Sequence, residues 1–97
     1  MRFDRTRDDG ICIARLQGKA VRILPRQGGE RFRPDARRPR RELKKLLQEN
    51  GVPPWQRERL PLLWCGEELV WVPGIGIDCA WQCRKGEAGL RPVWMQQ

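Results

Sequence analysis

Six cations fall within nine residues: Arg37, Arg38, Arg40, Arg41, Lys44 and Lys45, with only Glu42 among them to offset the charge. Side chains of this type at this density do one kind of chemistry, which is to hold polyanions. Arginine offers a planar fork that matches a phosphate bidentately, and lysine adds a mobile point charge. Six such contacts to nucleic acid would give an affinity falling with a log–log salt slope of about −4 to −5. The whole chain supports this reading. Its net charge is +8, and residues 1–50 hold fifteen Lys/Arg against seven Asp/Glu while residues 51–97 hold five against five. Asymmetry of this kind points to nucleic acid or an anionic surface. Arg57 and Arg59 form a second rank of candidates, and Arg31 and Arg33 a third.

An amphipathic helix must position the main cluster. The pattern predicts one from about Pro39 or Arg40 to Asn50, with Gly51 as its stop and Pro53-Pro54 forbidding continuation. Leu43, Leu46 and Leu47 fall on one stripe and face the core. Arg40, Arg41, Lys44 and Lys45 fall on roughly the opposite side, with Glu42 and Glu49 on a flank. Such a helix is about 16 Å long, enough to meet several successive phosphates. The arrangement costs stability. Arg40–Lys44 and Arg41–Lys45 would be like-charge neighbours, each unfavourable by a few tenths of a kcal/mol. Arg40 and Arg41 would also sit at the positive end of the helix dipole. A solvated face is the ordinary explanation of a charged helix surface, but same-sign clustering at the wrong end favours a site.

The rest of the chain supplies the frame. Residues 1–9 are charge-dense and aperiodic, and are expected to be a leader or linker remnant; the domain is expected over residues 10–97. Gly10 to Leu16 reads as a strand, with Lys19 to Leu24 pairing back onto it after a Gln17-Gly18 turn. Arg31-Phe32-Arg33 reads as a short extended arm, and residues 34–39 as loop. Pro54 opens a second short helix that Pro61 ends. Leu62 to Cys65 and Leu69 to Val72 form a hairpin across Gly66-Glu67-Glu68. Both runs are apolar at consecutive positions, so both are expected to be covered on two faces. Ile77 to Cys83 and Leu90 to Met95 are expected to make a last pair. Gly74-Ile75-Gly76 reads as a bend between strands. Trp55 is expected to plug the corner between helix and sheet, with base stacking as its alternative. Trp64, Trp71, Trp81 and Trp94 are expected in or at the core. The fold class is therefore α+β, a small layered domain with mostly antiparallel strands, one main amphipathic helix and a short second one.

Several chemistries are disfavoured. There is no histidine, so the commonest general base and zinc ligand are missing. Cys12, Cys65, Cys79 and Cys83 lack paired metal-ligand spacing and are expected as free, buried thiols. No phosphate-cradling glycine loop is present. No catalytic residue, metal or cofactor is expected within these 97 residues. No apolar run approaches bilayer length and no signal peptide is visible, so a cytoplasmic setting with no membrane contact is expected.

A resemblance sharpens this picture. Gly28-Gly29-Glu30-Arg31-Phe32-Arg33-Pro34, then Arg40 through Glu49, then Val52-Pro53-Pro54-Trp55-x-Arg57, then Pro61-Leu62-Leu63, then Leu69-Val70-x-Val72-Pro73-Gly74 together resemble the C-terminal domain of bacterial tRNA(Ile)-lysidine synthase. The likeness covers roughly Val21 to Trp94. It implies a layered PheT/TilS-like module within an enzyme that uses ATP and lysine to convert the wobble cytidine of an isoleucine tRNA to lysidine. Catalysis in that family lies in an N-terminal domain with a Ser-Gly-Gly-x-Asp-Ser loop, and this chain has no such loop. The resemblance thus implies an accessory role, gripping the tRNA body near the acceptor stem, with tRNA and the N-terminal catalytic domain as partners. The rival expectation is an interaction module that packs on its parent or forms a homodimer. The cysteines, the many tryptophans and the charged leader depart from the family pattern.

Overall fold

The computed structural model describes residues 1–95. It holds two antiparallel sheets and a short two-stranded ribbon. The central sheet contains β3 (Val21–Leu24), β6 (Leu62–Cys65), β7 (Glu68–Val72) and β8 (Gly76–Ile77), in that spatial order. A second sheet contains β1 (Arg2–Arg7), β9 (Ala88–Val93) and β2 (Ile11–Cys12), with β9 in the middle. The ribbon pairs β4 (Arg31–Phe32) with β5 (Arg41–Glu42). Three helices complete the chain: α1 (Ile13–Leu16), α2 (Leu43–Glu49) and α3 (Pro54–Arg57), with a single 3-10 turn over Cys79–Trp81. The expected α+β architecture with antiparallel strands is therefore observed. No helix among the described residues is long and apolar enough to cross a membrane.

The central sheet is apolar on consecutive positions because it separates two cores. On one side Phe32, Leu43, Leu46, Leu47, Leu60, Leu62, Leu69 and Val72 are buried together, which seats α2 and the ribbon. On the other side lie Ile11, Leu63, Cys65, Val70, Trp71 and Trp81. The register of β6 and β7 shifts between Leu63 and Trp64. That bulge lets Val70 and Trp71, adjacent in sequence, both join the second core. Trp94 is half-buried and packs against both clusters, and Trp64 against the first. Gly74 takes φ +79 at the bend between β7 and β8, a conformation that an L side chain would strain.

Five expectations are corrected. Residues 2–7 are not a frayed leader: Arg2 to Arg7 pair with Val93 to Ala88 in a six-residue ladder. The stretch from Gly10 gives only the two-residue β2 before turning into the single-turn α1. β3 pairs with β6, not with the preceding strand, because Val21 to Leu24 lie against Cys65 to Leu62. Only one isolated bridge, Ile11 to Gln82, involves the region 79–83, and β9 pairs with β1 and β2 instead. Finally, Trp55 is 71% exposed, where a buried corner plug was expected.

Candidate nucleic-acid interface

The main helix starts three residues later than its pattern predicts. Arg41 and Glu42 are extended and pair with Phe32 and Arg31, and the Leu43 amide donates to the Glu30 carbonyl at 2.8 Å. These long-range bonds outbid local helix propensity. The helix therefore runs Leu43–Glu49, with Leu43, Leu46 and Leu47 buried as expected. Burying three leucines supplies roughly 1.5–3 kcal/mol each, which a seven-residue helix needs, since one so short is marginal alone. Asn50 closes its end: its backbone amide and its side-chain amide both donate to the Leu46 carbonyl.

The late start dissolves the expected ridge. Arg40 and Arg41 are not helical, so the like-charge pairs with Lys44 and Lys45 do not form. Arg41 instead makes a bidentate ion pair with Glu49, both contacts at 2.6 Å. Its hydrogen bonds hold the Glu49 carboxyl below the usual carboxylate range and push the guanidinium pKa further up. Arg40 reaches Asp78, a buried carboxylate only 2% exposed, at 3.4 Å. Asp78 also accepts the Arg33 amide at 3.0 Å and the Ala80 amide at 3.1 Å, so it pins the arginine loop to the sheet. Arg37 turns back on Asp35, whose carboxyl is lowered chiefly by the Arg37 backbone amide and then by its side chain.

Three of the six make no ion pair among the described residues, although the charge of Arg38 acts on the nearby Asp35 and Glu49 carboxylates. Among the described residues, no carboxylate lies within ion-pair distance of Arg38, Lys44 or Lys45. All three are exposed. They do not share one ridge. Arg38 lines a groove of about 280 Å³ with Asp35, Arg41 and Glu49. Lys44 lines a second groove, of about 210 Å³, with Arg26, Arg31 and Glu42. Lys44 and Lys45 stand in the first turn of α2, where the dipole opposes cations; that turn holds no acidic residue, and Glu42 stands just before it. Arg40 and Arg41, expected at this end of the helix, lie outside it, and the two lysines take that place instead.

The lower-ranked candidates divide in the same way. Arg33 donates from Nε to the Arg38 carbonyl at 2.7 Å and also to the Ala36 carbonyl, which fixes the loop's shape. Arg31 donates to the Arg40 carbonyl at 3.2 Å. Arg57 donates from Nε to the Val52 carbonyl at 2.8 Å and leaves its two outer nitrogens outside that bond. Arg59 is exposed with no side-chain partner among the described residues. Arg5 and Arg7, in a segment that reads as a leader, are two further surface cations. In β1 they alternate with the half-buried Asp4 and Thr6; Arg5 is exposed, and Arg7 donates to the Gly86 carbonyl at 3.1 Å.

Comparison with known proteins bears on what such a surface meets. A family model described as the TilS substrate C-terminal domain matches residues 21–94. The chain belongs to this family. Among curated relatives, the tRNA(Ile)-lysidine synthase of Nitrosomonas europaea is 54% identical over 94 residues, covering 97% of this chain and 20% of the relative. That of Azoarcus sp. is 43% identical over 86 residues, covering 89% and 19%. That of Aromatoleum aromaticum is 40% identical over 97 residues, covering 99% and 23%. The chain thus spans about a fifth of the length of the curated relatives it matches. Within the TilS C-terminal family match lie the α2 helix, the arginine loop and α3; β1, β2 and α1 lie before it.

Proposed function

We propose that this chain is the tRNA-gripping module of a lysidine-forming ligase. It holds the acceptor-stem region by its phosphates while an N-terminal catalytic domain, using ATP and lysine, modifies the distant wobble cytidine. The observation that carries the reading is the trio Arg38, Lys44 and Lys45, exposed and outside any ion pair among the described residues, beside loop arginines that are anchored to their own fold. Lysines in the first turn of α2 gain nothing from the helix they stand on, which favours an outside anion as their reason. Arg59 and the outer nitrogens of Arg57 extend the set. Arg31, Arg33, Arg37, Arg40 and Arg41 shape the surface and add to its field more than they contact phosphate. Duplex RNA is read by shape, 2′-hydroxyls and phosphates, so base specificity from this face is slight. The module's service to its parent is tethering, which raises the local concentration of the anticodon at the active site.

The test is a salt titration of tRNA binding combined with sizing of the free chain. The reading expects a monomer whose affinity falls steeply with salt. A salt-insensitive dimer with no affinity for RNA would instead make the domain an association module.

A further inference from the structure

We propose that Trp55 is a stacking platform for an unpaired nucleotide base next to the cationic face. This rests on the RNA-binding reading above and extends it from phosphates to a base. Five tryptophans are present, and Trp71 and Trp81 are buried to 7% and 4% exposure while Trp55 is left 71% exposed. The segment around it is not loose. Val52 packs on the first core, Leu60 is buried at 5%, and Pro53-Pro54 fixes the entry to α3. The Val52 amide donates to the Leu47 carbonyl at 3.0 Å, which ties the turn to the end of α2. The Gln56 and Arg57 amides both donate to the Pro53 carbonyl, at 3.0 and 3.2 Å. The indole is therefore presented from a rigid one-turn helix anchored on both sides. A pre-ordered ring loses little freedom on meeting a flat partner.

The surroundings choose the partner's chemistry. Arg57 is clipped to the Val52 carbonyl through Nε alone, and Arg59 has no side-chain partner among the described residues. Lys44 and Lys45 stand at the other end of a helix only about 10 Å long. An apolar protein surface would have to desolvate these cations, whereas a nucleotide brings a ring for the indole and a phosphate for its neighbours. Base–aromatic stacking is sequence-tolerant, which suits a module that reads little sequence. The ligand class is thus a single-stranded nucleotide at the edge of a duplex.

The experiment compares three RNAs by fluorescence anisotropy: a blunt hairpin, the same hairpin with a four-nucleotide 3′ extension, and that hairpin with an abasic extension. The wild-type chain is expected to prefer the base-bearing tail over the abasic one by roughly 5- to 150-fold, the range of one stacked base. Trp55→Ala is expected to erase that preference with an unchanged salt slope, and Trp55→Phe to retain part of it. An exposed residue carries little of the fold, and equal melting temperatures would show it. A wild type that binds both tails alike, or a Trp55→Ala chain that keeps the preference, overturns the proposal and leaves the indole for a protein contact. The phosphate reading fails separately, if Lys44→Glu with Lys45→Glu leaves binding to the blunt hairpin unchanged. A wild type that binds none of the three RNAs overturns both.

Discussion

Replacing Lys44 and Lys45 together separates binding from folding, because neither side chain holds anything within the described structure. Counting Arg38, Lys44, Lys45 and Arg59 as the phosphate ligands gives four contacts and a log–log salt slope of about −3 to −3.5. This is shallower than the −4 to −5 that six contacts would give, because Arg37, Arg40 and Arg41 already have carboxylate partners. Between about 50 and 200 mM salt the wild-type affinity should then fall roughly 50- to 150-fold. Each contact is worth about tenfold at 50 mM relative to 1 M salt, so Lys44→Ala with Lys45→Ala should cost about 100-fold and flatten the slope by about 1.4 to 1.8. The Glu pair should lose more, since it adds repulsion. Stability should hold or rise with the Glu pair, since acids in the first turn of a helix gain about 0.3–1 kcal/mol each. Anisotropy against tRNA at four salt concentrations, with a thermal melt of each variant, reads all of this. A double variant that binds as tightly as wild type with the same slope would remove α2 from the interface and refute the reasoning.

Other outcomes follow from the same contacts. Glu49→Gln should free Arg41 from its bidentate clip and steepen the salt slope of RNA binding by up to about one contact, read by the same titration. The lowered carboxyls of Asp35 and Glu49, and of Glu87, which accepts the Arg84 backbone amide, place their stabilising contribution above the ordinary carboxylate range of roughly 4 to 4.5, so it is complete at neutral pH and lost as pH falls through their depressed values. Melting temperature measured from pH 7 to pH 2 should decline only below that range, and a decline that begins near pH 6 would contradict the assignment. Gly89→Ala should destabilise by about 1–3 kcal/mol or more, because a Cβ there would lie 2.3 Å from the Asp9 carbonyl oxygen and 2.5 Å from the Cys83 sulfur. Denaturant unfolding checks this; an unaffected Gly89→Ala would mean that β1 and β2 do not clasp β9 as described.

What was legible in the sequence was what local pattern controls. Leu43, Leu46 and Leu47 marked the buried face of α2, and the consecutive apolar runs of β6 and β7 foretold a sheet covered on both sides. The start of α2 was not legible, since the pairing of Arg41 with Phe32 and the bond from Leu43 to Glu30 are tertiary events that override the helix propensity of arginine. That one misplacement hid the ion pair between Arg41 and Glu49, which the extended Arg41 makes possible. β1 was unreadable because its partner β9 lies some eighty residues away and supplies the ladder that a polar strand needs. Trp55 was misjudged for the opposite reason. Its flanks, the half-buried Val52 and the buried Leu60, pack on the first core, and the ring between them is left outside. Lys44 and Lys45 were singled out by charge and helical placement, and their lack of ion-pair partners among the described residues could be learned only from coordinates.

The most direct test of the central claim is a backbone footprint of the 97-residue chain on an isoleucine tRNA. Hydroxyl-radical cleavage in about 50 mM salt should show protection confined to the acceptor-stem region, absent when Lys44 and Lys45 are both Glu and fading as salt is raised. Protection that survives the double substitution, or that falls on the anticodon arm, would contradict the account.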